Sequence, residues 1–260
     1  MIRILVALGV LLLGMSCSKS KIEKKGFQVR EIIEDDNGQK IIGLPIDSLQ
    51  LETRPRNVLL TFNPEHRLTP IYKVNYNKRK KMPFTGSNAY HTSWSTNEEG
   101  NNWNQNFMPG FSAVYGYNFV NISHYNNKEK KEHTFFERPV LIKTLYYPAF
   151  SKDTLNYKPV QRDFYMVSVY DEDTNKDGFI NVKDLRRFYH FDTNVTEKST
   201  LIPKNYSVMN SEYDPANDFM YVFAKKDENN NGEMEADEPT NIFWIDLKNP
   251  ENIGRQYTAE

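Results

Sequence analysis

The sequence predicts an all-β fold of propeller-like strand repeats, with a β-sandwich as the alternative. Three observations predict it. Few segments show a 3.6-residue apolar period, whereas short apolar runs bounded by turn residues recur throughout. Strand-favouring aromatics are abundant, with 16 Tyr and 16 Phe, and glycine is modest at 12. Finally, FYMVSVYDEDTNKDGFINVKDLRRFYHFD (164–192) aligns without a gap on DFMYVFAKKDENNNGEMEADEPTNIFWID (218–246), at a constant offset of 54. Each copy is an apolar strand, a polar loop and a second apolar strand. Short strands repeating at such a spacing suggest propeller blades.

The elements follow in order. Residues 27–46 hold two apolar runs around Asp36-Asn37-Gly38, a hairpin signal. NVLLTF (57–62) and PIYKVNYN (70–77) read as strands, and KRKKM (78–82) as a solvated turn. Residues 83–109 form a long irregular segment whose Tyr90, Trp94 and Trp103 pack on the sheet or stack on a sugar or protein partner. Strands resume at 112–125 and continue at 140–147. The pairs 57–77 and 118–147 share the strand–loop–strand outline, which makes four units. SVMNSEYDPANDF (207–219) adds a strand and an Asp-Pro turn. YDPANDFMYVFAKKD and IFWIDLKNP resemble blades of TolB-type propeller proteins of the cell envelope.

The beginning of the chain bears on location. MIRILVALGVLLLGMSC has one charge, Arg3, and a ten-residue apolar run from Ile4 to Leu13. As a helix that run rises only about 15 Å, too little for a bilayer core of ~30 Å. It reads as a secretory signal over 1–16. GMSC resembles a bacterial lipobox, with Gly14 where Leu is usual. The resemblance implies cleavage before Cys17, lipidation of its thiol and a membrane anchor on the bacterial cell envelope. Residues 17–26 then form a charged tether, and 27–260 the β-rich domain. Cys17 is the only cysteine, so its use as an anchor excludes disulfides and cysteine-ligated metals. The formal charge is −1, and −2 once Arg3 leaves with the signal. That balance gives no case for a nucleic-acid partner.

The chemistry-bearing residues lie in the two repeat loops. In DTNKDGFINVKD, Asp173, Asn175 and Asp177 occupy positions 1, 3 and 5. Gly178 sits at 6, the Phe179 carbonyl at 7, Ile180 at 8, Asn181 at 9 and Asp184 at 12. The pattern resembles the EF-hand calcium loop. Ca²⁺ takes six to eight oxygens, and alternate residues of a curling chain point theirs inward. In DENNNGEMEADE the same positions are Asp227, Asn229, Asn231, Gly232, the Glu233 carbonyl, Glu235 and Glu238. The first loop closes on Asp where Glu is usual, and Pro239 after the second argues against an exit helix. These are therefore EF-type loops flanked by strands, with VKDLRRF allowing one helical turn. Calcium is the expected cofactor, and the first loop, with three formal charges, is the tighter site.

No HExxH, GxSxG, phosphate loop or GxGxxG occurs, and none of His66, His91, His124, His133 and His190 forms a helical metal pair. The expectation is a binding or scaffold module rather than an enzyme, with calcium structural and a protein or glycan ligand. A glycan-acting envelope enzyme and a calcium-responsive sensor are the alternatives.

Overall fold

The computed structural model describes residues 26–35, 37–46, 51–76, 82–85, 88–91 and 108–259. The predicted signal 1–16, Cys17 and the tether up to residue 25 lie outside the described residues, as do Asp36, Trp94 and Trp103. Every regular element among the described residues is a strand. None of them forms a helix long and apolar enough to cross a membrane.

Three sheets carry the fold. The central one has six strands in the order Lys198–Thr200, Arg187–Asp192, Phe164–Tyr170, Leu141–Pro148, Phe111–Gly116 and Asn88–His91. The second places Lys131–Thr134, Phe119–Asn126, His66–Lys73 and Thr53–Pro55 in a row, with Leu59–Leu60 also on His66–Lys73. The third is a meander of Tyr206–Asp214, Phe219–Lys226, Thr240–Asp246 and Ile253–Tyr257. Pairing in all three is antiparallel.

The central sheet is covered on both faces, and its middle strand shows how. Successive side chains of a strand point to opposite faces. Tyr165, Val167 and Val169 join one core with Leu68, Tyr72 and Ile122 of the second sheet. Phe164 and Met166 join another with Met220, Val222, Phe243 and Ile245 of the third. All of Phe164–Tyr170 is therefore buried, which explains a near-continuous apolar run instead of alternation. Phe219–Lys226 lies in an outer layer and alternates, with Met220, Val222 and Ala224 inward. A buried Arg162–Asp218 pair, at 2.7 and 3.0 Å, adds a fixed polar contact where Phe219–Lys226 begins. Tyr213 donates to the same carboxylate.

Several expectations change. The segment 118–147 is not one unit, because Phe119–Asn126 and Leu141–Pro148 belong to different sheets. The gapless repeat hides a register difference. Met166 faces His190, but Met220 faces Ile245, where the offset would place Trp244. VKDLRRF makes one turn at its start, where the Asp184 N–H donates to the Asn181 carbonyl at 3.3 Å, but the turn does not extend through Leu185 and Phe188; Leu185 donates its N–H to Thr174 Oγ1, and a strand begins at Arg187. The hairpin signal holds, since Arg30–Glu34 pairs with Lys40–Pro45 across the predicted turn.

Candidate metal centre

Both loops connect paired strands. The first runs from Phe164–Tyr170 to Arg187–Asp192, and the second from Phe219–Lys226 to Thr240–Asp246. Each contains the same four hydrogen bonds. The position-1 carboxylate accepts from the position-6 glycine N–H: Asp173 from Gly178 and Asp227 from Gly232, both at 3.1 Å. The position-3 amide accepts from the position-5 N–H, at 3.1 Å for Asn175 and 2.9 Å for Asn229. The position-5 oxygen accepts from the position-7 N–H, at 2.9 Å for Asp177 and 2.7 Å for Asn231. The position-9 N–H reaches the closing carboxylate, from Asn181 to Asp184 at 2.8 Å and from Glu235 to Glu238 at 3.0 Å. Gly178 and Gly232 both sit at positive φ, +87° and +75°, where the chain turns.

The electrostatics are those of crowded, buried carboxylates. Burial pushes Asp184 up to about 6. Burial also raises Asp173, and Glu238, which the charges of Asp227 and Glu235 raise further. Within the loops two carboxylate oxygens, Asp173 Oδ1 and Glu238 Oε1, are buried with no hydrogen-bond partner; a third such oxygen, Asp171 Oδ1, lies just before the first loop. The Asp173 side chain is only 5 % exposed. A buried carboxylate oxygen without a partner is costly, and a cation beside it removes that cost.

The donors fit a hard cation. They are carboxylate, amide and carbonyl oxygens, in the proportions Ca²⁺ accepts. Among the described residues no three His, Cys, Asp or Glu groups gather into a metal cluster. Each loop instead mixes acids with amides and main-chain carbonyls. Asn181 and Glu235 also take outer contacts: Asn181 Nδ2 donates to Asp177 Oδ2 at 3.3 Å, and Asn229 Nδ2 to Glu235 Oε2 at 2.7 Å. Each closing acid reaches back into its own loop. Asp184 Oδ1 accepts the Thr174 N–H at 2.8 Å and Oδ2 that of Asn181, whereas Glu238 keeps one oxygen free.

The structure adds three features that spacing did not show. The two loops touch, through Thr174 Oγ1 to the Gly232 carbonyl at 2.6 Å and a β-bridge between Asp184 and Glu233. The first loop is also clasped from the N-terminal side. Phe27–Gln28 pairs with Phe179–Ile180, Val29 donates to the Gly178 carbonyl, and Arg30 approaches Asp173 at 3.5 Å. Elsewhere, three of the five histidines fall together, with His66 Nδ1 and His124 Nε2 at 3.0 Å and the His124 and His133 rings 4.7 Å apart. Pairing of adjacent strands brings them together, so helical spacing could not reveal them. Burial and the neighbouring histidines hold His124 down at about 4.

Fold and loops together define an all-β protein with two acidic strand-connecting loops in contact. No protein-family model matches the chain, and no curated protein matches it.

Proposed function

We propose that this chain is a calcium-binding module of a bacterial cell envelope, acting as a binding or scaffold protein whose calcium is structural. The observation that carries it is the pair of buried, unpartnered carboxylate oxygens, Asp173 Oδ1 and Glu238 Oε1, inside two loops with the same hydrogen bonds. In the first loop Asp173, Asn175, Asp177, the Phe179 carbonyl, Asn181 and Asp184 would hold the ion. In the second Asp227, Asn229, Asn231, the Glu233 carbonyl, Glu235 and Glu238 would. Strands on both sides favour a fixed brace over a switch, because sensor loops work between helices that open.

The rest of the reading extends this. The face-to-face packing of the central and third sheets, each containing one repeat, supports propeller-like units. Cys17 anchors the chain to a membrane through lipid, and the ligand is a protein or a glycan. Calorimetric titration of chelator-stripped protein tests the central claim. Dissociation constants of roughly 10⁻⁴–10⁻³ M, the range of extracellular calcium modules, are expected. No heat up to several millimolar calcium overturns it. Labelling with radioactive fatty acid tests the anchor, and Cys17→Ser should abolish the label.

A further inference from the structure

We infer that Glu233, a residue of the second loop, positions Asn175 as an ion ligand of the first, so that the two loops work as a coupled pair. The inference rests on the calcium reading above.

Asn175 Nδ2 donates to Glu233 Oε1 at 2.7 Å, while Asn175 Oδ1 faces its own loop and accepts the Asp177 N–H. An ionised carboxylate only accepts hydrogen bonds, so it holds the NH₂ end of the amide toward itself. The oxygen end is thereby turned inward, where a hard cation needs it. Without that partner only the Asp177 N–H holds the amide, and its orientation toward the ion is less firmly fixed. Lys183 approaches Glu233 at 3.6 Å from the first loop, which helps keep the carboxylate in place.

Glu233 has a different relation to its own loop. At position 7 it offers only its main-chain carbonyl, which does not depend on the side chain. Its side chain therefore serves the neighbouring site alone. The β-bridge from Glu233 to Asp184 and the bond from Thr174 Oγ1 to the Gly232 carbonyl fix the two main chains against each other. Outer partners that orient metal ligands commonly contribute tenfold or more in affinity. Coupling of this kind is reciprocal, so filling either loop should tighten the other.

The test uses the full-length protein in detergent and calcium alone, followed by titration calorimetry. Asp227→Ala isolates the first loop, and Asp173→Ala isolates the second. In the first background, Glu233→Ala should raise the dissociation constant about tenfold. Glu233→Gln, which keeps an acceptor for Asn175, should recover most of that loss. In the second background Glu233→Ala should change nothing. An unchanged first loop overturns the inference, as does equal weakening of both loops. If the unmutated protein takes up no calcium, the calcium reading itself fails and this inference falls with it.

Discussion

The two loops share a twelve-residue pattern and four hydrogen bonds, yet they are held in different ways. The first is tied to the body of the protein. Its position-8 residue, Ile180, is buried in a cluster with Phe27, Val120, Leu141 and Tyr170. The N-terminal strand pairs with it, and Arg30 lies against its first carboxylate. The second has Met234 at position 8, 41 % exposed. It leans on the first loop instead, so closely that a Cβ on Gly232 would lie 2.0 Å from the Thr174 carbonyl oxygen. A loop sequence thus encodes the curl of its chain, while the surroundings decide how firmly that curl is braced.

Glycine replacement gives the sharpest way to break this comparison. Gly232→Ala should cost about 3 kcal/mol, because it adds a main-chain clash to the strain of positive φ. Gly178→Ala meets only ordinary side-chain contacts, Ile42 Cδ1 at 3.4 Å and Ile32 Cγ1 at 3.6 Å, and should cost about 1–2 kcal/mol, the price of the left-handed conformation alone. Urea unfolding in chelator measures both, and equal losses would undo the asymmetry.

A pH series separates the loops from the rest of the fold. His124 is held down at about 4 by burial, below its ordinary 6.5. The unfolded chain then binds more protons at this group between those values, so its contribution is complete above about pH 6.5 and is lost on acidification toward 4. At pH 5 the expected loss from His124 is about 2 kcal/mol, part of which is offset by Asp184, raised to about 6 and so more readily protonated in the folded chain. It should appear equally in Asp173→Ala and Asp227→Ala, and its disappearance in either variant would tie the histidines to the loops.

Calcium itself should have a smaller effect. At tenfold saturation a site contributes about 1.4 kcal/mol, a few degrees in melting temperature for a chain of this size. Asp173→Ala should remove the larger share and Asp227→Ala the smaller, read as melting shifts between calcium and chelator. Far-UV circular dichroism should hardly change. A large secondary-structure change with calcium would favour a sensor over a brace.

The smallest effect concerns Arg30, beside Asp173; among the described residues no cation is paired with Asp227, the equivalent carboxylate in the second loop. The half-exposed Arg30 guanidinium competes for Asp173. Arg30→Ala should tighten the first site about two- to fivefold, in keeping with the modest strength of exposed ion pairs. The second site should be unaffected. Weaker binding at the first site would mean that Arg30 holds the loop closed and does not compete.

The loop geometry was legible because it is local. Gly178 at the turn and Ile180 at the position that faces the core both follow from spacing within twelve residues, and the carboxylate-to-glycine bonds complete the same local curl. Strand existence was also legible, from alternation and aromatic content. Sheet membership was not. Nothing in Phe119–Asn126 or Leu141–Pro148 says that they belong to different layers, since each simply has apolar faces to bury. The one-residue register slip between the repeats escaped for a related reason. Phe164–Tyr170 packs on two neighbours and Phe219–Lys226 on one, and that difference comes from the stacking of sheets. Leu185 and Phe188, three apart, mimicked a helical turn until the Thr174 hydroxyl took the Leu185 N–H. The Glu233–Asn175 contact spans 58 residues and belongs to tertiary structure alone.

The pairing of Phe27–Gln28 with Phe179–Ile180 sets a schedule for the newborn chain. Phe27–Gln28 leaves the ribosome early, but its partner emerges about 150 residues later. At 5–20 residues per second that is a wait of roughly eight to thirty seconds. Throughout it the following hairpin, with Ile33, Ile41 and Leu44 on its surface, has no first loop to rest against. The beginning of this domain therefore cannot take its place until the first loop exists to receive it.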